Sequence, residues 1–228
     1  MCPGFRNWSK EPNYGYLIQE GDSINKRMVA NCDDSHFLPC HLIGGLTKRS
    51  KVEKALRAAK VKNTAEISEF VSEKLQRTFL ILMLMSEDSS EKISLMQKFC
   101  EAEFTDHMLP IQWIDKDGEW YAKSMKEVPP SEDPASDSAK PLVLSKDQWG
   151  RQRKKLFEGY QWQVMAPKFG EEDFIFSFYN STILPYVEKP PKPASSGFFG
   201  EVSHYKVHPE HIAISVNVSA QSPFSFVL

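Results

Sequence analysis

Residues 195–202 of this 228-residue chain read Ser195-Ser196-Gly197-Phe198-Phe199-Gly200-Glu201-Val202. The spacing is that of a glycine loop that covers phosphates, with serine at the first glycine position. Glycines let a backbone come close to phosphate oxygens because no Cβ stands in the way. An aromatic residue at the tip of such a loop closes over the phosphates, and a valine two positions past the last glycine packs on a base. The candidate nucleotide contacts are therefore Gly197, Phe199, Gly200 and Val202. On spacing alone a plain β-turn is the competing reading.

Other groups of reactive residues have plainer alternatives. Cys32, His36, Cys40 and His41 place four zinc-type ligands within ten residues. Structural zinc sites usually draw on two separated ligand pairs, so an ordinary loop is the better reading and no metal is expected. His204, His208 and His211 are close in sequence, and exposed strand and turn histidines account for them. Asp106-His107 has the makings of a carboxylate-supported base, but no Gly-x-Ser-x-Gly nucleophile accompanies it, and a polar pair at a helix end is the better reading. The run Arg151-Gln152-Arg153-Lys154-Lys155 reads as a solvated helix face, and Trp149, Trp162 and Phe169 as core. No catalytic residue is assigned.

The chain is 41% hydrophobic and 25% charged, with net charge −2, a composition that predicts a soluble globular protein and gives no electrostatic case for nucleic acid or an acidic membrane. The four cysteines suggest no disulfide framework, and the start has no basic-then-apolar signal run; the expected location is intracellular, in the cytoplasm. The apolar run from Phe79 to Met85 falls far short of the roughly 20 residues that span a bilayer.

The elements that would position these residues are mainly helical. Residues 1–49 read as irregular, with Gly44-Gly45 as a turn. Ser50-Lys51-Val52-Glu53 predicts a capped helix start. Asn63-Thr64-Ala65-Glu66 predicts another, leading into one long helix over 64–85. A further helix is expected over 90–104, and a hairpin around Asp117-Gly118. Ser145-Lys146-Asp147-Gln148 predicts a helix over 146–158. The domain reading is an irregular segment at 1–49, a helical regulatory or interaction domain at 50–184 with a flexible insert at 128–140, a proline-rich linker at 185–196, and a glycine loop with two strands at 197–228.

Residues 197–211 resemble the start of the kinase-like domain in fungal protein-kinase-domain proteins. There a loop of the type G-x-F-G-E-V-Y-K-V is followed by I-H-P-x-H; here Gly197 to Val207 is followed by His208-Pro209-Glu210-His211. Phe79-Leu80-Ile81-Leu82-Met83-Leu84, Asp106-His107-Met108-Leu109-Pro110, and Trp149 to Phe157 with Gln161-Trp162 and Ala166-Pro167-Lys168-Phe169 are similar to the helical region ahead of that domain. The resemblance covers about residues 50–211 and implies a mainly α fold followed by a β-hairpin remnant of a kinase amino-terminal lobe, with ATP as cofactor. It implies signalling through a protein partner, with no nucleic acid and no membrane. The chain departs from the kinase pattern at Ser215, which stands where the phosphate-holding strand lysine is expected, and it carries no H-R-D or D-F-G motif. The expectation is a truncated, pre-kinase regulatory region without phosphotransfer activity. The alternative is a free-standing helical adaptor that binds no nucleotide.

Overall fold

The structure, a computed structural model, describes residues 15–85, 89–126, 141–147, 149–170, 177–189, 195–197, 200–202 and 205–213. The described chain is mainly helical. Its helices are α1 (Gly15–Asn25), α2 (Cys40–Leu46), α3 (Arg49–Ala58), α4 (Thr64–Lys74), α5 (Gln76–Leu84), α6 (Ser89–Glu101) and α7 (Arg151–Val164). Its strands form four small antiparallel sheets: β1 (Val29–Ala30) with β2 (His36–Phe37), β3 (Ile111–Lys116) with β4 (Glu119–Ser124) and β5 (Val143–Ser145), β6 (Tyr186–Glu188) with β9 (Lys206–Val207), and β7 (Ser195–Gly197) with β8 (Gly200–Val202). Among the described residues no helix is long and apolar enough to cross a membrane.

Helix α5 is the centre of the core. Every residue from Thr78 to Leu84 is buried, as expected of a helix that is apolar on all sides and enclosed by others. Helices α1, α2, α4, α6 and α7 all contact it. Residues 64–85, expected to be one helix, are two. Leu75 leaves helical geometry at φ −125°, and a new helix begins after it. The cap of that new helix is remote in sequence. Asp106 Oδ2 accepts from the Arg77 backbone N–H at 2.6 Å, and Oδ1 accepts from the Thr78 N–H at 3.0 Å and from the Thr78 hydroxyl at 2.9 Å. These are the orphan amides of a first helical turn, usually satisfied by a side chain next to them in sequence. Here a carboxylate 29 residues away does it, which no local pattern announces.

The serine and asparagine start signals do not operate as expected. Helix α3 begins after Lys48 with no side-chain cap, and Ser50 lies inside it. Asn63 does precede α4, but at φ 56° and without a side-chain cap bond. Ser145 is a strand residue, and its carbonyl accepts from the Trp149 N–H at 2.8 Å, so α7 starts only after Gly150. Helix α6 stops at Glu101 because the chain turns through Glu103 at φ 52°, with the Phe104 N–H donating to the Phe99 carbonyl at 3.0 Å. That is the Schellman ending in which glycine usually takes the left-handed position.

The segment 1–49 is not irregular throughout: α1 and α2 lie in it, and Gly44-Gly45 is inside α2 rather than at a turn. Intrinsic propensity argues against both helices, since each carries glycines, and tertiary packing overrides it. Ile24 of α1 is buried in the core, and Gly21 is packed so closely that a Cβ there would stand 2.7 Å from the Met83 carbonyl oxygen of α5. Only glycine lets α1 sit on α5 at that distance. The hairpin of β3 and β4 forms where expected, with Asp117 at φ 53° and Gly118 at φ 85° making the tight turn that Asp-Gly favours. Strand β5 was not expected from the sequence, and residues 127–140, which include the expected insert, lie outside the described residues.

The aromatic part of the core joins α7 to this sheet. Trp113, Trp149 and Phe157 meet with ring centroids 5.0–5.8 Å apart, and Phe99 stacks on Phe157 at 5.7 Å. Helix α7 also completes the edge of β3. The Gln161 amide accepts from the Ile111 N–H at 2.9 Å and donates to the Ile111 carbonyl at 3.0 Å, and Glu158 accepts from the Trp113 N–H at 3.2 Å. The edge of the sheet is thus paired by helix side chains where a further strand would otherwise stand.

Candidate functional site

The two glycines of the sequence motif face each other. Strands β7 and β8 pair in the register Ser195 with Val202, Ser196 with Glu201, and Gly197 with Gly200. Gly197 and Gly200 are therefore the pair at the end of this ladder. Phe199, the expected tip residue, lies outside the described residues, as do His204 and Ser215. Strands β6 and β9 form a second antiparallel ladder, with Tyr186 opposite Val207 and Glu188 opposite Lys206. In sequence, β6 and β9 bracket β7 and β8. The segment expected to be a linker at 185–196 thus contributes to the paired strands β6 and β7.

The base of this hairpin is built into the rest of the fold. Tyr186, Val207 and Phe169 form a small buried cluster, with Tyr205 stacked on Tyr186 at 4.7 Å and Phe169 stacked on Tyr186 at 6.3 Å. The Cys32 N–H donates to the Tyr186 carbonyl at 2.7 Å, and Asn31 Nδ2 donates to the Leu184 carbonyl at 3.2 Å. Past β9 the chain adds itself alongside residues 167–169. The Phe169 N–H donates to the His211 carbonyl at 2.8 Å and the Ala213 N–H to the Phe169 carbonyl at 2.7 Å.

His211 closes the join. Its ring is fully buried. Nε2 accepts from the Cys40 backbone N–H at 3.2 Å, and Nδ1 lies 2.7 Å from the Pro167 carbonyl. A carbonyl can only accept, so Nδ1 carries the proton and the ring is the neutral Nδ1–H tautomer. Phe37 meets the ring edge-on at 5.2 Å, and His208 does so at 5.9 Å. Burial lowers the His211 pKa; the Pro167 hydrogen bond opposes that, while His208, His41 and Lys168 add to it. The Cys40 thiol donates to the Glu210 carbonyl at 2.8 Å, and His41 Nδ1 lies 3.6 Å from Glu210 Oε2. One turn of chain, Pro209–His211, is thereby held to the start of α2 from both sides.

The other sequence candidates fall into structural roles. Cys32 sits between β1 and β2, His36 in β2, and Cys40 and His41 in α2; among the described residues no three His, Cys, Asp or Glu side chains lie close enough to hold a metal ion. Asp106 is the cap of α5, and burial pushes its carboxyl up in pKa against the three hydrogen bonds that pull it down. The basic run on α7 divides: Arg151 and Lys155 are exposed, while Arg153 pairs with Glu91, and Lys154 lies 3.6 Å from Glu158 and over the Trp120 ring at 4.9 Å. Trp149 and Phe169 are buried core residues, and Trp162 packs against Tyr179 at 5.7 Å. Sequence reasoning missed the part played by His211, whose role depends on Cys40 and Pro167, far from it in sequence.

No protein-family model, curated protein or solved structure matches this chain.

Proposed function

We propose that this chain is the helical regulatory and interaction region of a fungal protein-kinase-like protein, joined to the glycine hairpin with which the kinase-like part begins. The observation that supports the reading is the register of the hairpin. A phosphate-covering loop lies between two antiparallel strands, and Gly197 pairs with Gly200 at the end of such a pair. In this reading the nucleotide contacts are Gly197, Phe199, Gly200 and Val202, and ATP is the ligand. The chain binds and regulates and does not transfer phosphoryl groups. Serine at position 215 cannot supply the charge of a strand lysine, and Lys206 is occupied on β9 by an ion pair with Glu188 at 3.2 Å. We place it in the cytoplasm, working through a protein partner.

The second reading is a free-standing helical adaptor. It is supported by the same hairpin's attachment to the body through His211, Cys40 and Pro167, which needs no nucleotide. Titration with a fluorescent ATP analogue, with and without Mg²⁺, separates the two. The first reading expects saturable binding that Gly200→Val removes, because a branched side chain would stand where phosphate oxygens must come close. Absence of saturable binding, or binding indifferent to Gly200→Val, leaves the adaptor. Detectable phosphotransfer would contradict both.

A further inference from the structure

A cleft of about 610 Å³ opens where the α4–α5 junction, the turn at Asp106–Met108 and residues 165–168 meet. Its size is within the range of small-molecule sites. Four basic side chains line it from four separate places: Lys74 at the end of α4, Arg77 in the first turn of α5, Lys126 after β4, and Lys168 after α7. Two acidic residues, Glu73 and Asp106, also line it. Both oxygens of Asp106 already accept from the Arg77 and Thr78 amides at the start of α5, so they are engaged within the fold while the negative charge still counts. Basic groups therefore outnumber the acids by two.

The basic groups are partly set in place. Arg77 Nε donates to the Val164 carbonyl at 3.2 Å, which fixes one side of the guanidinium. Lys126 Nζ donates to the His107 carbonyl at 2.8 Å, and Lys74 Nζ lies 5.6 Å from the centre of the Phe70 ring. Lys168 is exposed at the rim. The Gln76 amide and the Thr105 hydroxyl add neutral hydrogen-bonding groups, and Leu109, Met165 and Ala166 make one wall apolar.

We propose that this cleft binds a phosphate monoester with an apolar body. A phosphate monoester near neutral pH carries about −1.5 to −2 charge and three strong acceptor oxygens. That charge matches the surplus of two cations. A single carboxylate would neutralise only half of it, and a bare phosphate would leave the apolar wall uncovered. Arginine suits this ligand because its planar fork offers two donors to two phosphate oxygens at once. The site is independent of the glycine hairpin and stands whether or not the hairpin takes nucleotide.

Calorimetric titration of the whole chain with phenyl phosphate, inorganic phosphate and benzoate tests it. Phenyl phosphate is expected to saturate one site and to bind more tightly than either of the others. Replacing a charge-assisted partner should weaken it about tenfold, for Arg77→Gln and for the exposed, fold-neutral Lys168→Gln alike. Lys51→Gln on α3 should change nothing. The proposal is overturned if no saturable binding occurs, if benzoate binds as tightly, or if Lys168→Gln and Arg77→Gln both leave the affinity unchanged.

Discussion

Replacing Gln161 by leucine is expected to lower the unfolding free energy by about 2–5 kcal/mol, since each buried backbone group left without a partner costs about 1–3 kcal/mol. Gln161 is 1% exposed and Ile111 fully buried, so water cannot take over either bond. Leucine keeps much of the volume and none of the hydrogen bonding. It leaves both the N–H and the carbonyl of Ile111 unpaired at the edge of β3. Gln161→Glu retains an acceptor for the Ile111 N–H but puts an acid against the Ile111 carbonyl, and it too should destabilise. Gln112→Leu on the exposed face of the same strand should stay within about 0.5 kcal/mol. Urea unfolding followed by tryptophan fluorescence reads all three. A Gln161→Leu loss below about 1 kcal/mol would mean that β3 does not depend on α7 for its edge.

The second large effect is at His211. His211→Ala removes a fully buried ring, the acceptor of the Cys40 N–H and the donor to the Pro167 carbonyl, and is expected to cost about 2–4 kcal/mol as cavity and lost hydrogen bonds together. The same residue sets a pH dependence. Burial lowers its pKa from 6.5, so the unfolded chain takes up the proton first as pH falls. The stabilisation is present above 6.5 and is lost as pH drops through the lower folded value. His208, also lowered by burial, acts in the same direction, with Glu210 opposing; His41 and Lys168 are the other charges facing the site. The urea midpoint of the native chain should therefore fall between about pH 7 and pH 5. The midpoint of His211→Phe should fall less over that range, its remaining slope coming from groups such as His208. Equal slopes in the two proteins would exclude His211 as the titrating group.

What the sequence made legible follows from the range of the interactions involved. The β3–β4 hairpin is announced by Asp117-Gly118 because its turn needs positive φ at two adjacent positions, a local demand. The apolar run at 79–85 marks the buried helix α5 for the same kind of reason. The break at Leu75 leaves no local mark, since the cap of α5 is Asp106, and α1 depends on the close approach of Gly21 to Met83. At the candidate site, the glycine spacing is a local signal, and the hairpin is found there. Its attachment is not legible, because it rests on Cys40, Pro167 and His211, each unremarkable in its own neighbourhood.

The central structural claim is that the β6–β9 ladder, which brackets the glycine pair in sequence, is held in a fixed place by the helical body. Hydrogen exchange at the amides of Phe169, Tyr186, His208 and Ala213 tests it most directly, since each donates to a backbone carbonyl in or beside the join. The expected result is slow exchange, comparable to β3 and β4, that becomes fast in His211→Ala while those strands stay protected. Exchange at these amides in the native chain as fast as in an unstructured peptide would contradict it.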